Sequence, residues 1–118
     1  MKASEVRLHL TEAEFGEMVI SLARARGWLC AHFRPALNEK GWRTPVQGDV
    51  GFHDLVLARG GRVLFMELKS QRGVVSPMQR RWVDALQGSG HEAFVVRPSD
   101  WPSISTLLES HDAPKDPA

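Results

Sequence analysis

A chain of 118 residues, 42% of them hydrophobic, is the size of one domain and can bury roughly two thirds of its unfolded surface without covalent staples. The single Cys30 leaves no disulfide to form and points to a reducing, cytoplasmic setting; no apolar run is long enough for a membrane span, and no signal peptide is expected. A formal net charge of +1 does not by itself require a polyanionic partner. Along the chain, Thr11-Glu12-Ala13-Glu14 is a capping-box pattern, and Phe15, Met18, Val19 and Leu22 recur at helical spacing until Gly27, which predicts a first helix. Trp28 to Phe33 reads as an apolar strand ended by Pro35. Residues 35 to 51, with three glycines and two prolines, read as a polar loop too long to be idle, bordering a site. Asp54 to Arg59 reads as a strand, Gly60-Gly61 as a two-residue turn, and Arg62 to Lys69 as the returning strand. Ser76-Pro77-Met78-Gln79 opens a second helix with a serine cap, proline in the first turn and glutamine at the capping-box position. Trp82, Val83, Ala85 and Leu86 give that helix a buried face, and Gly88-Ser89-Gly90 ends it. Glu92 to Arg97 predicts another strand, and Ser99-Asp100 with Pro102 opens a last helix through Leu108. The domain is expected to span residues 1–110, with 111–118 a disordered tail.

The central hairpin is apolar on both faces, with Val56, Ala58 and Phe65 on one and Leu55, Leu57, Leu64 and Met66 on the other. Sheets covered on both sides read this way. The expected fold is therefore of the α/β (α+β) class, a mixed sheet of about four strands flanked by helices on both faces. If Arg59 faces Arg62 across the turn, facing residues sum to 121, and Asp54 lies opposite Glu67 with β-carbons roughly 5 Å apart. Alternation places Lys69 on the same face. Like charges directly opposed on a sheet destabilise it, so two carboxylates there call for a missing cation, most simply a hard divalent metal held by oxygens. Charge is also uneven along the chain. Residues 59 to 81 carry six basic side chains against Glu67 alone, and residues 24 to 43 carry five against Glu39. Solvated faces and phosphate-binding surfaces are the competing readings of these runs.

Gly51-Phe52-His53-Asp54-Leu55, then Glu67-Leu68-Lys69, then Gln79 at the head of a helix, together resemble the PD-(D/E)XK nuclease superfamily. Within it the chain is most similar to the small stand-alone VRR-NUC type, whose pattern runs Gly-hydrophobic-Pro-Asp, Glu-x-Lys, Gly, Ser-x-x-Gln. The sequence departs at His53, where that type has proline. The resemblance implies a restriction-endonuclease-like core and a Mg2+-dependent endonuclease or exonuclease, with Mn2+ able to substitute. Its implied partner is DNA, cut at branches, flaps or junctions in replication, repair or recombination, with a homodimer as a possible assembly and no membrane association. On this reading Asp54, Glu67 and the backbone carbonyl of Leu68 hold the metal, and Lys69 positions or deprotonates the attacking water. An acid on the first helix completes the site, either Glu14 or Glu17, although Glu14 also occupies the capping-box position. Gln79 has the same two readings, facing the site or bonding back to the Ser76 amide. Arg34, Arg43, His53, Arg72 and Arg80, together with His32, are the candidates for phosphate contact, against ordinary surface or structural roles.

Two other classes compete. A module that binds nucleic acid or assembles with it, without turnover, would keep the basic runs but has no reason to retain opposed carboxylates. A small-molecule binder of Rossmann type lacks a G-x-G-x-x-G after a strand, since Gly48 to Gly51 precedes a strand instead of a helix.

Overall fold

Gly60 and Gly61 both have positive φ, +54° and +81°, the backbone a tight two-residue turn needs and glycine supplies without strain. In the computed structural model, which describes residues 2–33, 36–38, 41–43 and 47–110, this turn joins β4 (Leu55–Arg59) to β5 (Arg62–Leu68). Their register runs from Arg59 opposite Arg62 to Leu55 opposite Met66, the pairing that the turn arithmetic requires. β1 (Leu29–His32) pairs antiparallel with β4, and β6 (Glu92–Val96) pairs parallel with β5, giving one mixed sheet in the order β1-β4-β5-β6. A parallel neighbour requires a crossover, and here α3 (Pro77–Gly88) supplies it between β5 and β6.

The two sheet faces are covered differently. α2 (Glu12–Ala25) and α4 (Trp101–Glu109) pack on the aliphatic face, where Phe15, Val19, Ala23, Ile104 and Leu108 meet Leu55, Leu57, Leu64, Met66 and Leu68. A 3-10 turn, Pro98–Asp100, leads into α4. On the opposite face α3 closes an aromatic layer in which Phe52 stands edge-on to Phe33, Phe65 and Trp82. Both long helices begin as the caps predict: Thr11 and Ser76 each accept the amide three residues on, and Glu14 and Gln79 return the bond.

Three expectations need correcting. α1 (Ala3–Arg7) precedes the first expected helix and buries none of its residues, so no apolar stripe announces it. Within the stretch read as a long polar loop, β2 (Ala36–Asn38) and β3 (Gly41–Arg43) form a separate antiparallel pair, each too short for an alternation pattern to register. The basic run from residue 59 to 81 is not one surface. Arg59 and Arg62 sit at the turn end of the hairpin, where Arg62 is 5% exposed and makes two bonds to the Glu92 carboxylate at 2.8 and 2.7 Å. Arg59 donates to the carbonyls of Arg26, Leu108 and Ser110 and stacks over Trp28 at 4.3 Å. Residues 111–118, expected as a tail, and Arg34 lie outside the described residues. No helix among the described residues is long and apolar enough to cross a membrane.

Candidate active site

The open end of the same hairpin brings the acids together. Asp54 precedes β4, its carbonyl accepting from the Phe33 amide at 2.8 Å, and its Oδ2 accepts from the Leu68 amide across the sheet at 3.0 Å. That bond holds the aspartate against the end of β5. Glu67 is 1% exposed; its Oε1 accepts from Gln79 Nε2 at 2.8 Å and lies 3.7 Å from Lys69 Nζ. Its Oε2 is buried with no donor among the described residues. The neighbouring Asp54 carboxyl is itself an acceptor, and the two can bond only if one carries a proton. Burial first, then the charge and hydrogen bond of Asp54 and the charge of Glu12, push the Glu67 pKa up to about 9, with Lys69 pulling the other way. One partly buried ammonium does not compensate the carboxylates, which is the condition that the opposed acids imply.

Gln79 fills both roles read for it. Its Oε1 accepts from the Ser76 amide at 2.9 Å while its Nε2 reaches Glu67, so the capping bond orients the amide that touches the site. Glu14 does not. Its carboxylate accepts from the Thr11 amide at 2.9 Å, it is exposed, and those bonds hold its pKa below the ordinary value. The acid of α2 that feels the site is Glu12: its surface is exposed like that of Glu14, but partial covering of its carboxyl raises its pKa, Asp54 raises it further, and Lys69 opposes both. Glu17, the other candidate, is exposed on α2. Sequence reasoning passed over Glu12 because a first-turn acid beside an N-cap is ordinary, and its neighbours Asp54 and Lys69, just before β4 and just after β5, are far away in sequence.

The loop ahead of Asp54 is pinned by contact. Gly51 has φ +90°, and a β-carbon there would stand 3.0 Å from the Gln79 amide nitrogen and from two atoms of Met78. Only glycine fits on both counts, so the approach to Asp54 is seated directly on the first turn of α3. Beyond Lys69, Arg97 donates to the carbonyls of Ser70, Gln71 and Gly73 at 2.9, 3.3 and 2.7 Å, tying the following turn to the end of β6. The Lys69 amide bonds the Val96 carbonyl at 3.0 Å, so the lysine is anchored although β5 ends at Leu68.

The phosphate candidates scatter. Arg72 and Arg80 are exposed, and Arg80 pairs with Asp84 at 3.0 Å along α3, an exposed contact of little weight. Arg43 ends β3, and His32 ends β1 half-buried. His53 must be corrected: it is 1% exposed between Phe52 and Phe65, and burial lowers its pKa against the pull of Asp54. A buried imidazole whose surroundings disfavour the charged form is not a surface cation for phosphate, and neither ring nitrogen has a partner among the described residues.

Residues 38–100 match the family model of the VRR-NUC domain, a nuclease domain of the PD-(D/E)XK type. The chain belongs to this family. The match spans Asp54, Glu67, Lys69 and Gln79 of the VRR-NUC domain and leaves α2, with Glu12, outside it. No curated protein and no solved structure matches the chain.

Proposed function

We propose that this VRR-NUC domain is a metal-dependent nuclease that hydrolyses DNA phosphodiester bonds, acting on branched, flapped or junction DNA, with Asp54 and Glu67 as the carboxylate ligands. The observation that carries this reading is the buried Glu67 oxygen without a donor among the described residues, on a carboxyl whose pKa is pushed up to about 9 beside a second acid. A group in that state fits a hard divalent cation. Among the described residues no three His, Cys, Asp or Glu side chains are grouped to enclose a metal. That suits magnesium, which commonly takes one or two carboxylates and leaves its other positions to water and substrate phosphate. The Leu68 carbonyl, between the glutamate and the lysine, is the third protein ligand in this reading, and Glu12 acts from further out. When bound, magnesium supplies Lewis acidity toward the phosphate and lowers the pKa of a coordinated water.

The protein's own groups do the rest. Lys69, its side chain 12% exposed beside Glu67, holds the attacking water by hydrogen bond and offsets the charge that grows on the phosphate oxygens. Gln79 fixes which way the Glu67 carboxylate points, because its own amide is held by the Ser76 cap. Asp54 is held at its Oδ2 by the Leu68 amide. The test is cleavage of labelled branched, flapped and linear DNA in magnesium, manganese and calcium. Cleavage by the wild type that needs magnesium or manganese and prefers an interrupted duplex is the expected result. Equal cleavage in chelator, or by both Asp54→Asn and Glu67→Gln, sinks the proposal.

A further inference from the structure

α3 builds something besides the contact to Glu67. Met78, Arg81, Trp82 and Ala85, with Asp49 from the preceding loop, line a cavity of about 180 Å3. Whole small-molecule sites run to about 300–1,000 Å3, so this space suits a single planar ring system. Its aromatic wall is fixed in place. Trp82 Nε1 donates to the Val50 carbonyl at 3.1 Å, and Phe52 stands edge-on to the indole at 4.9 Å between ring centres. Trp82 lies three residues after Gln79, and Phe52, which backs the indole, lies two residues before Asp54, so the wall and its support come from the two segments that carry the candidate site. Arg81 is exposed beside the Met78 sulfur at 3.7 Å, with no carboxylate partner among the described residues.

We propose that this cavity takes one unpaired nucleobase of the DNA strand that enters the active site. A nucleobase offers a π face for Trp82, and the exocyclic amine of adenine, cytosine or guanine, or the ring N3–H of thymine, suits the Asp49 carboxylate as acceptor. Arg81 serves the neighbouring phosphate or the free face of the base. A base within a duplex has both faces covered by its neighbours, so only an unstacked one presents the face that Trp82 needs. The cavity therefore selects DNA with a flap, fork or single-stranded end, and names the structural feature that the nuclease proposed above recognises. The inference rests on that proposal for the strand's path, but its test reads binding.

The probe is a labelled flapped duplex, with affinity measured in calcium. An abasic nucleotide walked along the unpaired strand should weaken wild-type binding about tenfold at one position, within the range a single stacked base contributes. Trp82→Leu should lose about tenfold on flapped DNA and less than twofold on fully paired duplex, and the sensitive abasic position should cost it nothing more. Should Trp82→Leu not fold, exposed Arg81→Ala with the wild-type abasic series decides. A flat abasic series, or equal losses on flapped and paired DNA, overturns the base slot. Magnesium-dependent cleavage with a flat series removes this inference alone. Absence of cleavage with a position-specific abasic effect instead removes the nuclease proposal and leaves the slot.

Discussion

The two ends of the β4–β5 hairpin handle buried charge in opposite ways. At the turn end, Arg62 is met by both oxygens of Glu92, and Arg59 by three carbonyls and the face of Trp28. At the open end, Glu67 is buried just as fully and meets a neutral amide, a lysine at 3.7 Å and another carboxyl. A buried charge is stable only when paired and hydrogen-bonded. The first end obeys that rule within the chain; at the second the chain leaves Glu67 a proton shared with Asp54 or, on the reading proposed above, a cation. On that reading one hairpin separates the charge that holds the fold from the charge kept for catalysis.

The largest expected effect comes from replacing the buried acid. Glu67→Gln keeps an acceptor for Gln79, so the fold should survive while cleavage in magnesium disappears. The variant should also be more stable than wild type without metal, and the sign follows from the proton count. The ordinary pKa of 4.5 applies in the unfolded chain and about 9 in the fold. Between those values the unfolded chain releases a proton that the folded one keeps, so wild-type stability falls as pH rises through this window. Below about 4.5 both states are protonated and the difference vanishes. Melting in chelator from pH 5 to 9 should show the Gln variant pulling ahead at the alkaline end; each 1 kcal/mol moves Tm by about 4–8 °C in a domain near this size. Magnesium should raise the Tm of the wild type alone. A variant less stable than wild type at pH 8 would contradict the repulsion.

Lys69→Met should act on chemistry more than on binding. With DNA affinity in calcium within a few-fold of wild type, single-turnover cleavage should fall by about two to four powers of ten. Arg72→Met, at an exposed position, should do the reverse, weakening binding and flattening its salt dependence by roughly one unit of slope. At the turn end the same kind of edit moves stability. Glu92→Ala takes both carboxylate bonds from a guanidinium whose side chain is 4% exposed and keeps its contact to the Ser110 carbonyl, and should cost about 3–5 kcal/mol in chemical denaturation while the folded fraction cuts normally. If Glu92→Ala slows single turnover at equal stability, the two ends are not separate.

Much of this was legible because the deciding signals are local. Two glycines fix the turn, the turn fixes the register, and the register places Asp54 opposite Glu67; Thr11 and Ser76 mark both long helices. The parts that stayed hidden depend on contacts between distant segments. Nothing near Arg59 or Arg62 in the sequence reveals that Leu108, Ser110 and Glu92 will meet them, so a structural pair reads as part of a basic run that is either a solvated face or a phosphate-binding surface. His53 is hidden in the same way: its neighbour Asp54 belongs to the site, yet Phe52 and Phe65 close over the ring. Gln79 shows why two readings of one residue need not exclude each other, since an amide has an acceptor for the cap and a donor for the glutamate.

The smallest effects test the neighbouring acids of α2. Glu14 closes the capping box and Glu12 faces the charges of Asp54 and Lys69, so changing one should alter folding and the other function. Glu14→Gln keeps an acceptor for the Thr11 amide and should be nearly silent, whereas Glu14→Ala should cost about 1 kcal/mol, the usual worth of a cap, with no change in the rate of the folded enzyme. Glu12→Gln removes a negative charge that raises the Glu67 pKa, so stability without metal should hold or rise slightly. The same loss weakens attraction for a cation, and the magnesium concentration for half-maximal cleavage should rise about tenfold, about 1.4 kcal/mol of binding, with the rate at saturating magnesium changed less. Should Glu14→Gln shift the magnesium requirement while Glu12→Gln leaves it unchanged, the acid that the helix contributes is the capping residue, and the electrostatic neighbourhood of Glu12 is incidental.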